Sequence, residues 1–383
     1  MTVGVRPQQI RARNRGLVLR AVLNEGLCAR TDIAERLGLT KTALTNLTAE
    51  LIADGLLCEG TLYASGTVGR SRVGLIPAPD APAIVGILIQ RGAIRAIRAD
   101  LRGTAQAQSG YDFDGRIKPA VFRQQLTRLY HEVADGVRIC AVGVASAGPL
   151  DRATGICTPD GLFSEPYTFP AVPFFAALSG KPTYLCNDAT AGAWAELLLG
   201  AGKTCAHFAY LSTRHGIGAG LVSDGRLIQS DRRSGGIGHM TVQLDGRLCT
   251  CGRRGCLEAY ADASRIWTEV GAADHPLSRC ATQGLSDWAK YDGPAVRDAW
   301  AAYCRYVAVA LYNISLPLRL ERVIVNEADP VRAPFARALA EATAAQQMAV
   351  SVVPSPFGMD APLYGSIALV LDEIYAGRLN PAE

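Results

Sequence analysis

Gly238-His239 and, after nine intervening residues, Cys249-Thr250-Cys251-Gly252-Arg253-Arg254-Gly255-Cys256-Leu257-Glu258 form the most informative stretch of this sequence. Three thiolates and one imidazole complete a tetrahedral zinc site, so His239, Cys249, Cys251 and Cys256 are the candidate ligands. The Cys-x-Cys-x4-Cys spacing is compact, and Gly252 and Gly255 let the backbone wrap around an ion. Four protein ligands leave no open coordination position, so the implied zinc is structural rather than hydrolytic. The competing reading is three unrelated buried cysteines with a histidine nearby.

From Ala83 onward, strands alternate with helices, which argues for an α/β architecture. Apolar or alternating runs predict strands at Ile84 to Ile89, Ala93 to Ala99, Ile139 to Val144, Tyr184 to Cys186 and Phe208 to Leu211. Helical periodicity predicts helices over Pro119 to Ala134, Ala189 to Leu199, Ala295 to Ser315 and Val331 to Thr343. Asn187-Asp188 directly follows one of these strands, a usual position for a ligand group in α/β proteins. Asp188 can accept a proton or a hydrogen bond from a hydroxyl; the plain alternative is a helix cap. The run Gly216-Ile217-Gly218-Ala219-Gly220 reads either as a turn whose N–H groups hold an anion or as a tight hairpin.

The first eighty residues read differently. They carry ten Lys/Arg against seven Asp/Glu, and residues 1–24 hold five arginines and no acid. A helix over Asn14 to Asn24 can stop at Gly26. Thr31 can cap a short helix ending at Leu37, and Gly38-Leu39 turns the chain. Thr40 can cap a second helix whose Leu44, Leu47 and Leu51 face inward. This is a helix-turn-helix. Its outward positions Lys41, Thr42, Thr45 and Asn46 are non-acidic hydrogen-bonding residues suited to bases and phosphates. Leu56 to Glu59 and Val73 to Ile76 can pair as a wing, from which Arg70 and Arg72 can reach a minor groove. A small helical domain that binds protein is the alternative. Pro77, Pro79 and Pro82 mark a linker, so residues 1–80 are expected to form a winged helix-turn-helix domain and 81–383 a second unit.

The whole has 383 residues, 49% apolar and 19% charged, the balance of a folded protein of two or three domains. No apolar run reaches the ~18 residues of a membrane helix. No export signal is apparent, so the eleven cysteines are expected to be reduced thiols in the cytoplasm, apart from those on metal.

Together these features resemble the repressor–ORF–kinase (ROK) family of bacterial sugar kinases and sugar-responsive repressors. The resemblance spans the chain: winged helix, the Gly143-to-Pro149 strand-turn, Asn187-Asp188, the glycine run, the cysteine cluster and late Gly365. It implies a two-lobed actin-like, hexokinase-like fold with sugar in the cleft. Lobe one would comprise about residues 81–188 plus the C-terminal helix, and lobe two about 189–355. The resemblance further implies that Asp188, a base in the kinases, holds a sugar hydroxyl. Asn187, Glu258, Asp160 and the zinc ligand His239 would be further sugar contacts.

Several positions depart from the family's kinases. Leu88 and Gln90 stand where an Asp-x-Gly phosphate motif is expected. Arg214-His215-Gly216 replaces Gly-Thr-Gly, and Asn326-Glu327 replaces the adenosine glycine pair. Phosphoryl transfer depends on positioning and charge stabilisation, and Leu88 cannot hold Mg²⁺. Gly236 also replaces a family glutamate on the sugar side. The reading that follows is a non-enzymatic, sugar-responsive repressor binding double-stranded DNA at an inverted repeat as a homodimer or homotetramer, with no membrane partner. An active sugar kinase with an appended DNA-binding domain, and a DNA-binding repressor with a vestigial cleft, are the rivals.

Overall fold

The computed structural model describes residues 6–25, 28–62, 72–159, 161–213, 216–228, 236–261, 294–326 and 332–383. The chain opens with α1 (Pro7–Glu25), β1 (Cys28–Ala29), α2 (Arg30–Leu37), α3 (Lys41–Ala53), β2 (Leu57–Leu62) and β3 (Arg72–Pro77). The three strands form one antiparallel sheet in the order β1-β3-β2. Helix α3 begins where Thr40 Oγ1 accepts the Ala43 N–H at 3.2 Å, and Leu44, Leu47 and Leu51 are buried, as the spacing predicts. Thr31 does not cap α2. The N-cap is Ala29, without a side-chain bond, and Thr31 Oγ1 instead donates to Asp32. Helix α1 starts at Pro7, seven residues before the expected Asn14; the predicted stop at Gly26 lies outside the described residues.

The next segment is β4 (Ala83–Gln90), β5 (Ala93–Ala99), β6 (Ala105–Asp112), α4 (Pro119–Ala134) and β7 (Ile139–Ser146). A small ribbon, β8 (Leu150–Asp151) with β9 (Ile156–Cys157), precedes α5 (Ala171–Ser179), β10 (Thr183–Asn187) and α6 (Asp188–Leu198). The sheet order is β10-β7-β4-β5-β6, with β4, β7 and β10 parallel and β5 and β6 antiparallel. Strands β4 and β7 are buried along their whole length because both faces are covered.

The same plan recurs. Strands β11 (Phe208–Ser212), β12 (Gly218–Ser223) and β13 (Arg226–Leu227) form an antiparallel meander. After a 3₁₀ turn (Gly236–His239) come α7 (Glu258–Ala261), α8 (Pro294–Leu318), β14 (Arg322–Val325), α9 (Arg332–Ala345) and β15 (Ser351–Pro354). The order β13-β12-β11-β14-β15 repeats that of the first five-stranded sheet: a three-stranded meander, then two parallel strands beside its first member. This duplicated α/β arrangement is the two-lobed architecture the resemblance implies. Gly218 and Gly220 lie inside β12, so this half of the glycine run is a hairpin strand, while Gly216 (φ 84°) stands in the turn before it.

The last helix, α10 (Ala361–Tyr375), ties the molecule together. It packs on β4, β7, α6 and α1. Its Ile367 and Ile374 share one continuous buried cluster with Val18 and Leu19 of α1 and Leu44 and Leu51 of α3. Two close approaches need glycine. A Cβ at Gly365 would lie 1.8 Å from the Ala191 carbonyl oxygen of α6, and one at Gly16 would lie 2.4 Å from the Tyr375 carbonyl oxygen. Arg15 adds a bond to Asn380 Oδ1 at 2.9 Å and a pair with Asp54. Gly365→Ala should therefore force α6 and α10 apart and cost about 2–3 kcal/mol. A lower urea midpoint at unchanged slope is the expected readout; an unchanged midpoint would contradict this crossing.

Candidate functional site

The four candidate metal ligands converge in space. Ligand atoms of His239, Cys249, Cys251 and Cys256 all lie within 4.8 Å of one another. Cys249 Sγ is 3.7 Å from His239 Nδ1, and Cys251 Sγ is 3.6 Å from Cys256 Sγ. A tetrahedron with Zn–S bonds of about 2.3 Å has edges of about 3.8 Å, so the donor spacing and chemistry fit that ion. The local chain explains the convergence. Gly252 (φ 84°) and Gly255 (φ 76°) adopt left-handed turns that a side chain would strain. Cys249 N–H donates to the Arg253 carbonyl at 2.8 Å, and Gly255 N–H to that of Arg247 at 2.9 Å, which closes the loop. Bridges Thr241 to Cys256 and Leu248 to Arg254 fix its stem.

Arg253 is a residue that the spacing argument missed. Its guanidinium donates to the His239 carbonyl at 2.6 Å. Its backbone N–H, aided by the guanidinium, holds the Cys251 thiol down at about 7. Desolvation pushes Cys256 up to about 11. Cys251 is thus the thiol of this pair that is most easily ionised. The signal in the sequence was a cation inside the loop, which favours thiolates.

His239 also meets Glu258, with Nδ1 to Oε2 at 3.6 Å. Glu258 opens α7, and its Oε1 sits where a Cβ on Gly216 would come within 2.6 Å. Side chain and turn are therefore in close contact.

Asn187 ends β10 and Asp188 begins α6. Asn187 is the N-cap: the Ala189 N–H is shared between Asn187 Oδ1 at 3.0 Å and Asp188 Oδ1 at 2.8 Å. Asp188 retains some accessible surface, yet surrounding protein desolvates it and raises its pKa to about 6. Hydrogen bonds from the Ala189 and Asp188 backbone and from Asn187 pull the other way and lose. The two groups of residues flank one strand. A Cβ at Gly220 in β12 would meet the Ala189 carbonyl at 2.6 Å, while one at Gly238 would meet the Ile217 carbonyl, just before β12, at 2.5 Å.

Leu88 and Gln90 are 2% and 5% exposed, so both side chains are sealed in the interior of lobe one. Asn326, buried at the end of β14, accepts from the Thr213 N–H and hydroxyl, both at 3.3 Å, and so joins β14 to β11. In the N-terminal unit, Lys41, Thr42, Thr45 and Asn46 lie on α3; Lys41, Thr45 and Asn46 are exposed, as is Thr42. Thr45 Oγ1 donates to the Lys41 carbonyl at 2.8 Å. Arg70, Asp160, Arg214, His215 and Glu327 lie outside the described residues. Arg72 opens β3, and its side chain lies outside them too.

These features agree with comparisons to known proteins. Over 375 residues the chain is 25% identical to the xylose repressor of Bacillus subtilis (strain 168), covering 94% of this chain and 95% of that one. It is 33% identical to the glucokinase of Thermotoga maritima over 186 residues, which cover 45% of this chain and 59% of that enzyme. The crystal structure of a ROK family transcriptional regulator, a homologue of the Escherichia coli MLC protein, superposes with a TM-score of 0.80 at 23% identity, over 96% of this chain and 98% of that one. The sequence profile of the ROK family matches residues 88–373. On that match, supported by the duplicated lobes and the cluster of one histidine and three cysteines, the chain belongs to the ROK family.

Proposed function

We propose that this chain is a sugar-responsive DNA-binding transcriptional repressor whose kinase-like lobes sense ligand without catalysis. The observation that carries the reading is its likeness to a xylose repressor along nearly the full length of both chains, the N-terminal helix-turn-helix included. Residues 1–80 are the winged-helix DNA-binding domain and 81–383 the sensor. Lobe one takes about 81–188 with α10, and lobe two about 189–355. Lys41, Thr42, Thr45 and Asn46 face the major groove, and Arg70 and Arg72 the minor groove. Two copies read an inverted repeat.

In the cleft, Asp188 accepts hydrogen bonds from sugar hydroxyls. Asn187, Asp160, His239 and Glu258 complete the polar shell. His239, Cys249, Cys251 and Cys256 hold a structural Zn²⁺, whose role is to fix the loop that carries His239. Ligand shifts DNA affinity only as far as it prefers one arrangement of the lobes.

The rival kinase reading draws on Asp188, whose pKa of about 6 suits a general base. Against it, buried Leu88 offers no oxygen to a metal–phosphate group. The deciding experiment is recovery and sequencing of genomic fragments bound by the purified protein, with and without xylose, glucose and N-acetylmannosamine, alongside an ATPase assay with the same sugars. An enriched inverted repeat released by one sugar, with no ATP turnover, is expected. Turnover above background would favour the kinase.

Contacts on α3 give a second expected result. Asn46→Ala should cost about 1–3 kcal/mol and relax sequence preference at one operator position. Lys41→Ala should weaken binding evenly across sequences and lower the salt slope by about one. Both positions are exposed, so the unfolding midpoint should not move. Fluorescence-anisotropy titrations at two salt concentrations provide the check.

A further inference from the structure

A groove of roughly 760 Å³ opens where α1, α6, α10 and β13 meet. It is separate from the candidate sugar site. Its α6 residues, Trp194 to Leu198, lie about 9–15 Å along the helix axis from Asp188.

Leu17 of α1, Leu197 and Leu198 of α6 and Leu369 of α10 give an otherwise charged lining one apolar patch. Five guanidinium groups surround it: Arg13 and Arg20 from α1, Arg152 between β8 and β9, Arg226 of β13, and Arg378 beyond α10. Against them stand two carboxylates, Asp372 and Glu373, and both bind the same cation, Arg378, at 2.5 and 2.7 Å. The lining is therefore positive by three charges, and its acids are already engaged.

Arg20 lies 5.7 Å over the Tyr375 ring, so it stands at the junction of α1 with α10. The Trp194 side chain is 6% exposed, and its Nε1–H has no hydrogen-bond partner among the described residues. Buried N–H groups without an acceptor are uncommon in native proteins.

We infer that this groove is a second effector site, for a small organic phosphate with an apolar body. The volume lies within the range of small-molecule pockets. Guanidinium forks match phosphate oxygens in pairs, and a phosphate monoester carries close to two negative charges near neutral pH. Arginines from α1 and from the sensor lobes would then share one anion. A ligand held this way links the DNA-binding unit to both lobes, independently of what occupies the cleft at Asp188. The inference goes beyond the sugar-response reading and does not depend on it, because its readout is binding itself.

The test is calorimetric titration of the full chain with phenyl phosphate at near-physiological salt, with inorganic phosphate and phenol as comparison arms. Saturable binding of one phenyl phosphate per chain with a Kd below about 1 mM is expected. Inorganic phosphate and phenol should each bind at least about tenfold more weakly, since each lacks half of the complementary chemistry. Arg20→Gln and Arg226→Gln, both at exposed positions, should each weaken phenyl phosphate at least about tenfold. Asp188→Asn should leave it unchanged. Four results would overturn the site: no saturable binding, equal affinity for inorganic phosphate, arginine variants that bind like the parent, or loss of binding on Asp188→Asn with retention in both arginine variants. The last would put the phosphate in the sugar cleft.

Discussion

Asp188→Asn is expected to abolish the response to sugar, by at least about 100-fold in the half-effective concentration, while leaving operator affinity in the absence of sugar unchanged. The magnitude follows from what the substitution leaves behind. A site built to accept hydroxyl hydrogen bonds discriminates strongly when one partner is lost, because buried polar groups then go unpaired. Asn keeps the volume and one acceptor oxygen but replaces the other with a donor. The same carboxylate makes the response depend on pH. Its pKa is raised to about 6 by desolvation, so the charged acceptor is present above that value and disappears below it. Sugar affinity should therefore fall as pH drops from 7 to 5 in the parent and stay flat in Asp188→Asn.

Stability should move in the opposite sense. The folded pKa lies above the unfolded value of about 3.9, so the folded state is favoured below pH ~4, and this advantage is lost as pH rises through 6. Above that, the charged group costs stability. Asp188→Asn, which cannot ionise, should raise the stability of the ligand-free protein at pH 8 by about 1–3 kcal/mol and gain nothing at pH 4. Thermal unfolding at the two pH values measures the difference. A variant that responds normally to sugar would remove Asp188 from the site.

What the sequence made legible, and what it hid, follows from the range of the interactions involved. The cluster of His239 with its three cysteines and the Thr40 cap of α3 are local: short spacings of chemically distinctive residues fix them within a few turns of chain. Helix α4 matched its predicted limits, Pro119 to Ala134, for the same reason. The N-terminal half of α1 did not, since Pro7 to Arg13 shows little apolar periodicity. What holds this part of the helix comes from remote chain, with Ala12 against Gly377 and Arg11 paired with Glu50.

The duplicated sheet order was equally hidden. Topology is set by which strands pair, and the paired elements share no residue pattern. Strand β6 alternates between half-buried and exposed positions over eight residues, while its counterpart β13 is two residues long. The glycine run left two readings open because glycine serves turns and close packing alike. In β12 it is Ala193 and the Ala189 carbonyl, on α6, that demand Gly220. Arg253 shows the converse. It was visible as a basic residue in the loop, but its bond to the His239 carbonyl exists only once the loop is closed.

That closed loop carries the other large effect. Removing zinc, by chelation or by Cys251→Ser, should unfold the segment from His239 to Glu258 while leaving the two sheets intact. Structural zinc contributes on the order of 10 kcal/mol of apparent binding free energy in small domains, and this is folding free energy for whatever the metal organises. Here the organised part is small. Among the described residues Cys249, Cys256, Ala259 and Tyr260 form a small buried cluster, apart from the core around β4 and joined to the core around β11 through Val242, Leu257 and Tyr306. Loss should therefore appear as local unfolding. Cys251 is the informative ligand because it is exposed: Ser in its place leaves no buried cavity, so any effect reports coordination rather than packing. Its thiol, held at about 7, is also the one best prepared to bind metal as thiolate. Atomic emission should show about one zinc per chain in the parent and almost none in Cys251→Ser. Hydrogen exchange should rise through residues 239–258 and stay unchanged in β4 and β7. Because His239 and Glu258 sit 3.6 Å apart on this loop, sugar response should be lost with the metal, while sugar-free operator binding through α3 persists. A full zinc complement in Cys251→Ser, or unfolding that spreads to β4 and β7, would refute the assignment of this loop as an independently organised zinc-held wall of the sugar cleft.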